Sequence, residues 1–181
     1  SLYNMTNYLK AINKLIDYFG NKPTFVMGHS RGASMAILAG LRNPHITSFV
    51  SIFSSFTKGG YKDKSDTALW RKQGYLLEKR DLPPGGGPKI REFKLPYSFF
   101  EDQLQFDVTE ELKHSKKPKL FMLGKQDVLA TPEVVRELYS IASEPKELYE
   151  LDSDHDYRFH KNLIDEVNKA VGEFLTKGWL N

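Results

Sequence analysis

The chain has 181 residues, enough for one domain with a real core, and its 40% hydrophobic and 13% aromatic content is too high for a disordered polymer. A net charge of +3 without a concentrated basic tail argues against nucleic acid as a partner. The absence of cysteine excludes disulfides, thiolate metal sites and a cysteine nucleophile. No apolar run approaches the ~20 residues needed to span a bilayer, and the first residues lack the charged-then-apolar pattern of a signal peptide. The expectation is a cytoplasmic protein with no membrane partner.

Met5, Tyr8, Leu9, Ile12, Leu15, Ile16 and Phe19 recur at helical spacing, and Gly20 closes that run. Thr24-Phe25-Val26-Met27 is a short continuous apolar run, read as a strand buried on both faces. Gly28 to Gly32 follows, and then Ala33, Ala36, Leu38 and Ala39 lead a small-residue helix that Asn43-Pro44 stops. Further strands are expected at Thr47–Phe53, Lys119–Leu123 and Glu147–Leu151. Thr131-Pro132-Glu133 supplies an N-cap, a first-turn proline and an acidic first turn for a helix to about Ala142. The last helix carries Leu163, Ile164, Val167, Val171, Phe174 and Leu175 on one face. Strands alternating with helices define an α/β class with a parallel sheet.

Residues from about Thr57 to Gln105 break that rhythm. Ten basic residues stand against five acidic ones between 57 and 95, and Pro83-Pro84-Gly85-Gly86-Gly87-Pro88 is incompatible with regular structure. A helix is expected around Thr67–Lys79, and a second near Ser98, with Glu101 completing a capping box. Trp70, Tyr75, Leu76, Leu77, Phe99 and Phe100 argue for a folded insertion over the carboxyl ends of the strands, not a disordered linker. The excess of positive charge, taken with these aromatics, suggests a lid favouring aromatic or apolar acyl groups with anionic ends, but a charged outer face is the commoner explanation.

The chemistry concentrates at Gly28-His29-Ser30-Arg31-Gly32. A strand running directly into a helix must turn within a few residues, and two glycines let strand and helix approach closely. Ser30 sits on that turn at a helix N-terminus, where the Arg31 N–H can donate to an oxyanion. The alternative is a serine that merely caps the helix. A serine needs a base, and the base an orienting acid. Asp127 follows the third strand and His155 the fourth, both at carboxyl ends on the rim of Ser30. His160 is a rival base nearer the last helix, His45 and His114 belong to the opposite rim, and His29 points away from the hydroxyl. Asp152, Asp154 and Asp156 alternate as in a calcium loop but lack its glycine and closing glutamate, so no metal is expected. No phosphate-cradling or dinucleotide glycine motif is present, and no cofactor is expected.

The order Ser30, Asp127, His155, each after a strand, resembles the α/β-hydrolase superfamily, especially its serine esterases and serine aminopeptidase-like hydrolases. The resemblance implies a nucleophile elbow at Gly28, His29, Ser30, Arg31 and Gly32, with Asp127 and His155 as triad acid and base. It also implies a catalytic core of residues 1–56 and 106–181, with a cap at 57–105. The superfamily has about four strands before its elbow, one of whose loops supplies the second oxyanion donor, and only one helix precedes it here. The expectation is therefore the C-terminal portion of a larger hydrolase, completed by an N-terminal segment; a homo-oligomer remains open. With this resemblance the expected function is a serine hydrolase acting on a small-molecule ester or acyl substrate through an acyl-enzyme; the alternatives are a serine peptidase or amidase of the same fold and a non-catalytic binding protein on a hydrolase scaffold.

Overall fold

The computed structural model describes residues 3–54, 56, 64–81 and 90–177. Helix α1 (Met5–Tyr18) starts at Asn4, whose side-chain oxygen accepts the Asn7 N–H at 2.7 Å. Strand β1 (Thr24–His29) leads into α2 (Arg31–Arg42), and β2 (Ile46–Ile52) follows. After an insertion come α5 (Thr109–His114), β5 (Lys119–Gly124), α6 (Pro132–Ile141), β6 (Lys146–Leu151), a 3-10 turn (Tyr157–Phe159) and α7 (Lys161–Thr176).

The four strands form one parallel sheet in the order β1-β2-β5-β6. Successive residues of a strand face opposite sides. Phe49, Phe121 and Leu123 therefore join Ile37, Leu38, Val135 and Leu138 on one face. Val50, Ile52, Leu120, Met122 and Leu151 meet Val167, Ala170, Val171 and Phe174 of α7 on the other. Helices on both faces make this an α/β sandwich, as the alternation of apolar runs implies.

Strand β1 corrects one expectation. It is not buried on both faces: Val26 packs under α1 and α2, but Phe25 is 37% and Met27 50% exposed. The reason is position in the sheet. Strand β1 pairs only with β2 among the described residues, and no residue of β1 joins the cluster under α7.

The insertion holds α3 (Lys64–Gln73), an antiparallel pair β3 (Tyr75–Asp81) and β4 (Ile90–Pro96), and α4 (Tyr97–Gln103). The helix expected over Thr67–Lys79 ends at Gln73, because Gly74 takes a φ of +77° and turns the chain into β3. The Trp70 indole N–H donates to the Leu95 carbonyl at 3.0 Å and ties α3 to β4. Helix α4 starts at Tyr97, near the expected Ser98, but its N-cap is Pro96, which makes no side-chain cap bond, and the Tyr97 N–H donates to Gly74 O at 2.9 Å. Thr131 occupies the N-cap of α6 with Pro132 at its first turn, but its side chain makes no cap bond. The Pro83–Pro88 stretch lies outside the described residues.

Trp70, Leu95, Phe99 and Phe100 belong to the same apolar cluster as Met5, Ile37, Leu38 and Phe49. The Asp102 carboxylate of α4 also accepts the Thr6 backbone N–H at 3.0 Å and the Thr6 hydroxyl. The insertion thus shares its core with α1 and α2. At the amino end of β5, the fully buried Lys119 ammonium donates to the carbonyls of Ser115 (3.0 Å) and Ser143 (2.8 Å). Burial lowers its pKa to about 8. Among the described residues no helix is long and apolar enough to cross a membrane.

Candidate active site

The turn from β1 to α2 is strained at the serine. Ser30 has φ 57° and ψ −121°, a region that residues with a Cβ rarely enter. The surrounding backbone holds it there: the Ser30 N–H donates to Ile52 O at 2.9 Å, and Ser30 O accepts the Ala33 N–H at 2.9 Å. Gly28 is needed for this closeness, since a Cβ there would lie 2.1 Å from Gly32 O. Gly32 corrects the reading of two equivalent glycines: a Cβ on it meets nothing within 4 Å. What the turn requires is the approach of the Gly32 backbone to Gly28, not a bare Gly32.

The turn aims the hydroxyl at an imidazole. Ser30 makes no side-chain cap bond to its helix, and its Oγ lies 2.9 Å from Nε2 of His155. Nδ1 of His155 lies 2.7 Å from Oδ2 of Asp127. The His155 and Asp127 residues are buried, at 7% and 3% exposure. Oδ1 of Asp127 accepts the N–H groups of Leu129 (2.8 Å) and Ala130 (2.9 Å). Burial alone would push the Asp127 carboxyl up, but the bonds from His155, Ala130 and Leu129 outweigh it and hold it below its ordinary value. A carboxylate acceptor fixes the His155 proton on Nδ1 and leaves Nε2 with a lone pair toward Ser30. The set can take a proton from the serine hydroxyl.

The loops that carry Asp127 and His155 are stitched together. The Lys125 N–H donates to Leu151 O (2.9 Å), the Gln126 N–H to Ser153 O (3.0 Å), and the Gln126 side-chain amide to Asp152 (2.6 Å). Gly124 permits the approach, since a Cβ there would stand 2.7 Å from Ser153 O. The other aspartates of the alternating run have protein partners too: Asp154 accepts the Asp156 N–H, and Asp156 pairs with Arg158. Among the described residues no group of three or more metal-ligating side chains is assembled.

The remaining candidates fall elsewhere. His160 is the exposed N-cap residue of α7, and His114 bonds to its own helix at Glu110 O. His45 precedes β2 on the opposite rim, where Asn43 accepts its N–H. Arg31 opens α2, and its guanidinium lies over the rings of Tyr3 (5.0 Å) and Phe99 (4.5 Å), so the insertion reaches the β1–α2 turn. Two features were not anticipated. Phe53 takes a φ of 56° just past β2 and sets its ring 6.2 Å from that of His155, and His29 contacts the His155 backbone.

This layered parallel sheet with Ser30, Asp127 and His155 on one rim is the α/β-hydrolase fold, and solved structures agree. The chain superposes on a monoacylglycerol lipase of Paleococcus ferrophilus with a TM-score of 0.74 at 21% identity, covering 95% of this chain and 75% of that one. It is similar to an esterase of Pyrococcus furiosus (TM-score 0.62, 22% identity, 98% of this chain, 62% of that one). It is also similar to Est1E of Butyrivibrio proteoclasticus with ferulic acid bound (TM-score 0.68, 18% identity, 97% of this chain, 70% of that one). No protein-family model and no curated protein matches the sequence.

Proposed function

We propose that the chain is a serine hydrolase that cleaves small-molecule carboxylic esters through an acyl-enzyme. The observation that carries this is the relay from Ser30 Oγ through His155 to Asp127, at 2.9 and 2.7 Å. His155 Nε2 takes the hydroxyl proton as Ser30 Oγ bonds to the acyl carbon, and the developing oxyanion turns toward the Arg31 N–H. The same imidazole returns the proton to the leaving alcohol, and the tetrahedral intermediate collapses to the acyl-enzyme. Water, deprotonated by His155, then releases the acid and frees Ser30. Asp127 stays ionised, holding the ring and stabilising its cation. The names of the structural neighbours, a lipase and an esterase among them, favour esters over amides.

In this reading residues 57–105 form the cap, with Phe99 beside Arg31 as its contact with the elbow. A second oxyanion donor comes from a segment lying against the open edge of β1. Denaturing mass spectrometry of natively purified protein tests that last point: a single species of the 181-residue mass, active as a monomer, refutes it.

The main test is fluorophosphonate labelling of wild type beside Ser30→Ala, followed by an ester chain-length series and matched amides. Labelling confined to wild type, with ester turnover, is expected. Turnover of amides at rates like those of esters would favour a peptidase, and a folded wild type that neither labels nor turns over would leave a binding protein.

A further inference from the structure

His29 precedes the serine, yet its ring turns from the hydroxyl toward the loop that carries the base. Its Nε2 lies 2.8 Å from the backbone carbonyl oxygen of His155, and the two imidazole rings are 4.8 Å apart. The ring of Phe53 at 5.7 Å and that of Tyr157 at 5.4 Å close the cage around it. A carbonyl oxygen only accepts, so Nε2 of His29 carries the proton and donates. Burial first, and then the charge of Arg158, lower the His29 pKa to about 4, against the pull of the bond to His155. At neutral pH the ring therefore stays uncharged in the donating tautomer.

The base loop needs such a hold. Its bonds at Leu151, Asp152 and Ser153 run toward the acid loop at Lys125 and Gln126. Those bonds fix the loop relative to Asp127 and not relative to Ser30. On the elbow side, His29 grips the backbone of the very residue whose ring must reach the serine. We propose that His29 is a positioning residue, which sets the separation of His155 Nε2 from Ser30 Oγ through its bond to the His155 carbonyl. The proposal rests on the serine-hydrolase reading above. It explains why the position before the nucleophile holds a donor aimed backwards. An uncharged ring there also keeps a second cation away from the imidazolium that forms on His155 during attack.

The test compares His29→Phe, which keeps an aromatic ring without a donor, with His29→Gln, whose amide places an N–H near the position of Nε2. His29→Met repeats the donor-less arm with a flexible side chain, in case the phenylalanine variant does not fold. Each is measured for kcat and KM on a short-chain ester and for the second-order rate of Ser30 labelling by a fluorophosphonate. Loss of positioning by a fraction of an ångström to an ångström is expected to lower kcat and the labelling rate about 10- to 100-fold in the donor-less variants. KM should stay within about twofold and His29→Gln within about threefold of wild type, because substrate contacts and the donor are respectively intact. Equal losses in the glutamine and donor-less variants, or wild-type labelling in a folded donor-less variant, would overturn the assignment of His29 alone. A wild type that does not label would overturn the hydrolase reading, and this proposal with it.

Discussion

Replacing Asp127 by asparagine alters one hydrogen bond of the site and leaves the rest of the carboxylate's contacts intact. Oδ1 accepts two backbone N–H groups, from Leu129 and Ala130. The asparagine must keep its carbonyl oxygen there, because an amide nitrogen would face two donors. Its NH2 is thereby forced toward Nδ1 of His155, where Oδ2 now sits 2.7 Å away. Nδ1 must then accept, so the ring proton moves to Nε2, which faces Ser30 Oγ at 2.9 Å. The serine would meet a donor where it needs a base. Geometry survives but the tautomer is wrong, and a loss of about 10³- to 10⁴-fold in kcat is expected. That corresponds to about 4–5.5 kcal/mol on the barrier. Ester turnover and fluorophosphonate labelling measure it, with thermal unfolding as the check on folding. A folded Asp127→Asn variant within about tenfold of wild type would refute the tautomer argument.

The two glycines flanking the β1–α2 turn should respond oppositely to alanine. Gly28→Ala drives a methyl into the Gly32 backbone at 2.1 Å and should cost about 3 kcal/mol or more in urea unfolding; Gly32→Ala, with an open Cβ position on α2, should be neutral or gain up to about 1 kcal/mol. Ser30→Gly relieves a positive φ that Ser30→Ala retains, so of these two variants the glycine form should be more stable by about 1 kcal/mol. Lys119→Met strips the ammonium from the carbonyls of Ser115 and Ser143 and should lower unfolding stability by about 2–4 kcal/mol; an unchanged urea midpoint would count against that role. The His29 pKa falls from 6.5 to about 4 on folding, so between those values the unfolded chain binds the extra proton. Stability should thus drop as pH falls from 6.5 toward 4, by up to about 3 kcal/mol from this group. Urea titrations of wild type and His29→Gln across that window should show a shallower loss in the variant.

The rim of the sheet was readable from the chain because each candidate residue directly follows an apolar run. Val26-Met27, Leu120 to Leu123 and Leu148 to Leu151 announce strands, and a parallel sheet brings all its carboxyl ends together. Ser30, Asp127 and His155 are near one another for that reason, with their hydrogen bonds as the structural addition. The hairpin β3–β4 was not readable from composition. Leu76-Leu77-Glu78-Lys79-Arg80 consists of strong helix formers, and pairing with Ile90–Pro96 overrides that preference. Gly74 was the signal available, since it could have ended the helix. The exposed face of β1 was hidden for a different reason: an apolar run records what a strand can bury, not whether a neighbour covers it. The contact of His29 with His155 joins residues 126 positions apart, and neither residue's local sequence contains it.

The shared core of α1, α2 and the insertion bears on how such a protein could be re-engineered or could diversify. Phe99 and Trp70 rest in one cluster with Met5, and Asp102 binds the first turn of α1. A chimera that exchanged only residues 57–105 would leave the amino end of α1 without its acceptor and open a void beside Met5. The transferable module is the insertion together with the first helix. Two stretches far apart in the chain must change in concert before a new insertion can be grafted above Ser30, Asp127 and His155.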